Sequence, residues 1–267
     1  MTDWGGSELT VEFGNTVALD RVSVDVTRGE VLAVVGGDGA GKTTLLRLLA
    51  GIGLPHRGTL RLPGPGRTGY VPPQGGVFTD LSVGENMEFM ADAYRLRDWE
   101  DRASHLLDKA GIVEFGHRLA GQLSGGQRRK LAGTMALLPE PDLLVLDEVT
   151  TGVDPVSRLE LWRLIAGAAA SGTAVVLATS YLEEAERSGR TLILHQGRVL
   201  ASGTPDSVLA GVPGTVVSVL TPSNRDLAWR HGVVWRQWDP NGTGATSRIT
   251  MEDAAIVAEL RAKGTTS

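Results

Sequence analysis

Val31-Leu32-Ala33-Val34-Val35-Gly36-Gly37-Asp38-Gly39-Ala40-Gly41-Lys42-Thr43-Thr44-Leu45-Leu46-Arg47-Leu48-Leu49 decides the fold. The apolar run Val31 to Val35 reads as a buried strand, and the leucine-rich run that follows predicts a helix over Thr43 to Ala50. A loop this rich in glycine can turn its N–H groups inward around an anion, because glycine tolerates the positive φ values such a nest requires. The helix start adds roughly half a positive charge. Lys42 supplies a full charge for β and γ phosphates, and the Thr43 hydroxyl is placed to ligate Mg²⁺. A plain glycine turn needs neither Lys42 nor Thr43. The loop of Gly36, Gly37, Asp38, Gly39, Ala40, Gly41, Lys42, Thr43 and Thr44 therefore reads as the binding site of a Mg²⁺-nucleotide.

Working outward, Glu8 to Val26 alternates, with Val22, Val24 and Val26 on one face and Ser23 and Asp25 on the other, which predicts half-buried antiparallel strands. Leu143 to Leu146, Ala174 to Ala178 and Thr191 to Leu194 are short and almost wholly apolar, as parallel strands covered on both faces are. A helix over Pro155 to Ala170 lies between two of them, so the core is α/β with a mainly parallel sheet. Leu81 to about Ala136 has a different texture: Met87, Met90 and Tyr94 recur at helical spacing and Trp99 to Ala110 reads as a further helix, which makes this a helical insertion. The main domain takes residues 1–211. After Gly211 the pattern predicts strand (Val216 to Leu220), helix (Asn224 to Arg230), strand (Val233 to Trp238), strand (Arg248 to Met251) and helix (Glu252 to Lys263). Residues 212–267 thus form a small α+β appendage whose Trp229, Trp235 and Trp238 serve either packing or dimerisation.

Composition narrows the function classes. With 42% apolar and 21% charged residues, the 267-residue chain can bury a full core. Its net charge of -5 and the absence of a basic block speak against a nucleic-acid partner. The lack of cysteine excludes disulfides, thiolate zinc sites and iron-sulfur clusters, and fits a cytoplasmic protein. Thr2 and Asp3 make a polar start unlike a secretory signal. No charge falls between Arg163 and Glu183, a stretch nearly long enough for a membrane span of ~20 residues, but Ser171-Gly172-Thr173 breaks it into helix, turn and buried strand.

A nucleotide-bound Mg²⁺ wants a carboxylate at the end of a neighbouring strand. Leu143-Leu144-Val145-Leu146-Asp147-Glu148 provides one: Asp147 to hold the metal, and Glu148 to polarise an attacking water as general base. Leu123-Ser124-Gly125-Gly126-Gln127 precedes the basic helix start Arg128-Arg129-Lys130. Ser124, Gly125, Gly126 and Gln127 at a helix N-terminus form a second anion site on the same physics as the first, or else an ordinary helix cap. Two phosphate sites on one chain suggest two chains sharing ATP.

With these motifs in place, residues from about 7 to 210 resemble the nucleotide-binding subunit of an ATP-binding cassette (ABC) transporter. The resemblance implies an ABC-ATPase fold and a head-to-tail dimer, homo- or heteromeric, in which Ser124 to Gln127 of one subunit closes over ATP held by the phosphate loop of the other. It implies that Phe13 stacks on adenine, and that Asp154, in Thr151-Gly152-Val153-Asp154-Pro155, reaches across the interface. Thr150 to Arg158 and Tyr181 to Arg187 look most like bacterial export-type (ABC-2-like) ATPases that pair with a separate integral-membrane permease. That places the chain peripherally on the inner face of the cell membrane. The helical insertion, with Met87, Phe89, Met90 and Tyr94, would offer either a groove for a permease helix or its own core.

Several positions depart from the family pattern. Ser180 stands where the family normally has the histidine that contacts the γ-phosphate; a serine hydroxyl is shorter and carries no charge. His195, in a hairpin beyond the next strand, reads as a surface residue that does not replace it. Gly69-Tyr70-Val71-Pro72-Pro73-Gln74 resembles the loop whose glutamine touches Mg²⁺ and couples to the permease, yet ungapped counting puts that position on Pro73, so Gln74 is assigned the role one place late. Arg61 to Arg67 is shorter than usual, and Gly37 and Val149 replace common prolines. The resulting reading is an ATP-hydrolysing export subunit using Glu148, Ser180 and Gln74 catalytically, with Thr43, Gln74 and Asp147 at the metal. Its rivals are a hydrolysis-impaired regulatory half of a heterodimer and a soluble cassette acting in translation or DNA repair.

Overall fold

The computed structural model describes residues 3–242 and 247–264. The chain opens with β1 (Trp4–Phe13) and β2 (Thr16–Val26), then β3 (Val31–Val35) and α1 (Lys42–Leu49). Next come β4 (Arg57–Arg61), β5 (Thr68–Val71), α2 (Val83–Tyr94), α3 (Glu100–Lys109) and α4 (Gly125–Leu137). The second half of the core follows as β6 (Leu143–Asp147), α5 (Pro155–Ala170), β7 (Ala174–Thr179), α6 (Leu182–Glu186), β8 (Arg190–His195), β9 (Arg198–Gly203) and α7 (Pro205–Ala210). The chain ends with β10 (Thr215–Val219), β11 (Ala228–His231), β12 (Val234–Asp239) and α8 (Met251–Gly264).

A six-stranded sheet in the order β5-β6-β7-β3-β8-β9 forms the centre, parallel throughout except for the antiparallel edge strand β9. Strands β3, β6 and β7 are buried at every position, as continuous apolar runs require when both faces are covered. One face packs against Leu45, Leu46 and Leu49 of α1 and the valines of the antiparallel sheet β2-β1-β4. Val22, Val24 and Val26 are buried and Ser23 and Asp25 exposed, so the alternation read in the sequence is realised. The other face packs against α4 and α5 through Ala132, Ala136, Trp162 and Ile165. Lys130 of α4, buried, meets Glu160 of α5 at 2.6 Å and fixes these helices together. The run between Arg163 and Glu183 is helix, turn and strand, and among the described residues no helix is long and apolar enough to cross a membrane.

Helices α2, α3 and α4 enclose their own core around Met87, Leu107, Leu131 and Met135. Met87 is only 1% exposed, so within the candidate permease groove it is core, whereas Phe89 stays exposed and stacks edge-on to Phe78 at 4.5 Å. The fully buried Asn86 carboxamide accepts from the Phe78 N–H and donates to the carbonyls of Phe78, Leu81 and Ser82, which clamps the loop before α2 onto that helix.

Past residue 211 the structure corrects two expected elements. The predicted helix Asn224 to Arg230 is instead a turn that runs into the strand β11, which pairs antiparallel with β12 through a Gly232-Val233 turn. Gly232 has φ 60°, and glycine in the first loop position matches the twist of a two-residue hairpin, which outweighs the weak helical preference of the preceding residues. The predicted strand Arg248 to Met251 is the approach to α8: Thr250 and Asp253 exchange reciprocal side-chain bonds with each other's N–H groups, a cap that starts a helix there. Trp238 is buried, and its indole N–H donates to the Pro213 carbonyl. Buried Arg236 of β12 meets Asp253 of α8 at 3.0 Å, locking sheet to helix. Helix α8 packs on α6, α7 and β9. His195 is likewise not a free surface residue, because its Nδ1 lies 3.4 Å from Glu259 of α8 and its side chain is mostly covered.

Candidate functional site

Strands β6, β7 and β3 are neighbours, and each hands its last residue to a functional segment at the same edge of the sheet. Val35 pairs with Thr179 and Asp147 with Ala178, so the phosphate loop after β3, Glu148 after β6 and Ser180 after β7 stand side by side. This is the edge at which open α/β sheets bind ligands. The loop enters α1 through Gly41, whose φ of 104° is closed to other residues and whose missing Cβ would meet the Ala18 carbonyl at 2.6 Å.

Lys42 is 6% exposed, and its ammonium donates to the carbonyls of Gly36 (2.7 Å) and Gly37 (3.3 Å) while lying 3.2 Å from Glu148 Oε1. Glu148 sits at φ 55°, a left-handed position that costs a non-glycine residue about 1–2 kcal/mol. Its carboxylate accepts from Thr151 Oγ1 and, at 3.0 Å, from Ser180 Oγ. Burial acts to raise its pKa, but Thr151, Lys42 and Ser180 together bring it below the usual range, so the group is an anion at neutral pH. Ser180 therefore faces the Glu148 carboxylate directly.

Asp147 is completely buried. Its Oδ1 accepts from Thr43 Oγ1 at 3.3 Å and its Oδ2 has no hydrogen-bond partner. Burial pushes its carboxyl up, opposed by the Thr43 bond and by Lys42, with the Glu148 charge adding to the rise. A buried carboxylate oxygen left unpaired beside a threonine hydroxyl is the donor set a hard divalent cation takes, so these residues fit Mg²⁺.

The loop, Glu148, Thr151 and Ser180 line one cavity of about 760 Å³. Phe13, 63% exposed, lies at its lip with Thr16 and Val17. Pro73 lines it too, while Gln74 is exposed and does not. Ser124 and Gln127 are outside it: Ser124 Oγ accepts from the Gln127 N–H at 3.2 Å and Gln127 Oε1 from the Ser124 N–H at 2.9 Å, a capping box that starts α4. A Cβ on Gly126 would meet Ser157 Oγ at 2.6 Å, so glycine there lets α4 approach α5. Asp154 caps α5, with Oδ1 accepting from the N–H groups of Val156 and Ser157. The backbone amide of Ser157 leads the interactions that hold its carboxyl below the usual range.

Two participants escaped the sequence reading. Arg129 lines the cavity from α4. Glu184, 2% exposed, accepts from Thr150 Oγ1 (2.9 Å) and Trp162 Nε1 (3.0 Å), tying the helix after Ser180 to the segment after Glu148. A basic triplet in the first turns of α4 and one of three glutamates after Ser180 (Glu183, Glu184 and Glu186) were the available signals, and neither says which way a side chain turns.

A phosphate loop beside a strand-end Asp-Glu pair, with a separate Ser-Gly-Gly-Gln cap on an inserted helical unit, defines an ATP-binding cassette. Comparison with known proteins agrees with that class. Residues 19–151 match the family model described as ABC transporter. The chain is 35% identical over 261 residues to the probable multidrug ABC transporter ATP-binding protein YbhF of Escherichia coli (strain K12), covering 91% of this chain and 45% of that protein. It is 35% identical over 221 residues to the daunorubicin resistance ATP-binding protein DrrA3 of Streptomyces coeruleorubidus, covering 78% of this chain and 70% of that one. The chain thus spans less than half the length of YbhF. A solved structure of an ATP binding subunit of an ABC transporter superposes with a TM-score of 0.72 at 29% identity, over 78% of this chain and 92% of that one. The chain belongs to the ABC transporter family of ATP-binding proteins.

Proposed function

We propose that this chain binds and hydrolyses ATP as the energising subunit of an export system, working in a head-to-tail dimer against a separate membrane permease. The observation that carries the dimer is spatial: Lys42, Glu148 and Ser180 share one cavity, while the Ser124 to Gln127 helix start lies outside it. A second anion site on the same chain but not in the same cavity suits a nucleotide held between two subunits. Asp154, exposed next to that helix start, belongs to the same shared surface. Exposed Phe13 at the lip serves as the adenine contact. Export follows the relatives, which are described as multidrug, daunorubicin resistance and Nod factor export proteins. Phe78 and Phe89, exposed on the helical unit, suit the permease, and Gln74 lies in the loop that leads to them.

In hydrolysis the water oxygen attacks the γ-phosphorus, the bond to the bridging oxygen breaks and ADP leaves. Glu148 is an anion held in place by Thr151 and Ser180, so it orients the water and takes up its proton. Lys42 is positioned by the loop carbonyls to meet phosphate oxygens. Mg²⁺, held by Thr43 and Asp147, would supply neutralisation of the β and γ phosphates. Ser180 spends its one donated hydrogen on Glu148 and brings no charge to the γ-phosphate, which favours a slow intrinsic rate.

The test is ATP titration of the full chain and of Lys42→Ala. Lys42→Ala should remove measurable affinity, and retained affinity would overturn the reading. Glu148→Gln with ATP and Mg²⁺ should sediment as a dimer; a monomer at saturating ATP would remove the shared-site part alone.

A further inference from the structure

Arg129 is the fifth residue of α4, and it lines the cavity from which the helix start at Ser124 to Gln127 is absent. It borders an apolar crevice formed by Leu146, Val149, Leu161 and Ile165, and it also lines the nucleotide cavity shared by the phosphate loop, Glu148 and Ser180. Nη1 lies against Gly75, where a Cβ would stand 3.6 Å from it, at ordinary contact distance. Nη1 is buried and, among the described residues, has no hydrogen-bond partner. An arginine stays protonated in proteins, so this is a charged side chain in the cavity wall with one of its donors left unpaired. The cavity's carboxylate does not pair with it, because Glu148 is already engaged by Lys42, Thr151 and Ser180. What a guanidinium fork matches best is a phosphate.

We propose that Arg129 donates to the terminal phosphate of the nucleotide held by Lys42 of the same chain, and so reads the presence of a γ-phosphate on the side where Ser180 brings no charge. This deepens, and rests on, the reading of the cavity as an ATP site. Nucleotide recognition is then split: Lys42 and the loop amides hold the phosphates common to ATP and ADP, and Arg129 distinguishes the two.

The experiment compares ATPγS and ADP, each with Mg²⁺, binding to the full parent chain, Arg129→Gln and Arg129→Lys, with thermal melting as the check on folding. Loss of one charge-assisted contact predicts that Arg129→Gln weakens ATPγS by about tenfold or more and ADP by less than about twofold. Arg129→Lys should recover part of the difference. The unliganded melting temperature should hold or rise, since an unpaired buried donor is removed. A purely structural residue would instead lower the melting temperature and weaken both nucleotides alike. Equal loss for both, or no loss for ATPγS, overturns the assignment while leaving the ATPase reading intact. If the parent chain binds neither nucleotide, both fall together.

Discussion

Strand β6 carries an aspartate at each end, and the protein treats the two in opposite ways. Asp142, just before the strand, receives Arg67 Nε at 2.9 Å, Arg67 Nη2 at 2.8 Å and Arg28 Nη2 at 2.8 Å. The Arg67 hydrogen bond, against a smaller effect of burial, holds its carboxyl below the usual range. Asp147, the strand's last residue, has one bond from Thr43, a free Oδ2 and a carboxyl raised by burial. Both ends open onto cavities, and the one at the Asp142 end, about 930 Å³, is the larger. Size therefore does not mark the functional end. The state of the two aspartates does: the saturated Asp142 holds the fold, and Asp147, left short of a partner, suits a ligand.

The sharpest break in this contrast is at Glu148, adjoining Asp147. Glu148→Gln keeps the shape and the contacts with Thr151 and Ser180 within reach but removes the proposed base. Hydrolysis should fall by about 100-fold or more with ATP affinity nearly unchanged, read by single-turnover assay against equilibrium binding. A parallel fall in affinity would mean that Glu148 organises Lys42 rather than water.

Asp147→Asn is next in size, and its two effects have opposite signs. Mg²⁺-dependent ATP affinity should drop by about tenfold or more, because the ligand loses its charge. The unliganded protein should melt higher. The folded pKa lies above the unfolded one, so ionised Asp147 costs stability at neutral pH, a cost relieved as pH falls through the raised value. Asparagine removes it at all pH values. A lower melting temperature would show that the Thr43 and Lys42 interactions outweigh burial.

A smaller gain is expected at Ser180. Ser180→His places a longer ring with a chargeable donor beside the γ-phosphate, and ATPase should rise by about two- to tenfold. No gain over the parent would place the rate limit elsewhere, with Arg129 the first alternative.

What was legible in the sequence follows from range. The phosphate loop, the Asp147-Glu148 pair and the Ser124 capping box are local patterns, each written in consecutive residues, and the buried strands announce themselves as apolar runs. Ser180 was found as a substitution, but its bond to Glu148 spans two strands and depends on β6 and β7 being neighbours. Arg129 was one of three consecutive basic residues, and only tertiary packing turns it inward while Lys130 goes to Glu160. The segment Asn224 to Arg230 lacks strong periodicity of either kind, so the Gly232 turn and the partner strand β12 decide its conformation. His195 became a contact only because α8 folds back over the edge of the sheet.

The smallest effect tests the saturated end. Asp142→Asn leaves the phosphate loop untouched and removes one charge from a site shared by two arginines that are each about half exposed (47% and 49%). Solvent screening limits the loss to about 1 kcal/mol, a few degrees in melting temperature, with ATP affinity unchanged. The pH dependence fixes the cause. A carboxyl whose folded pKa lies below its unfolded value near 3.8 stabilises fully above that value, and the contribution disappears as pH falls through the folded pKa. Parent and Asp142→Asn melting curves should therefore differ at pH 7 and converge as pH falls through the folded pKa of Asp142. A gap that persists in acid would assign the loss to packing rather than charge. A fall in ATP affinity would break the division between the two ends of β6, since it would mean that the arginine clamp reaches through the strand to Asp147.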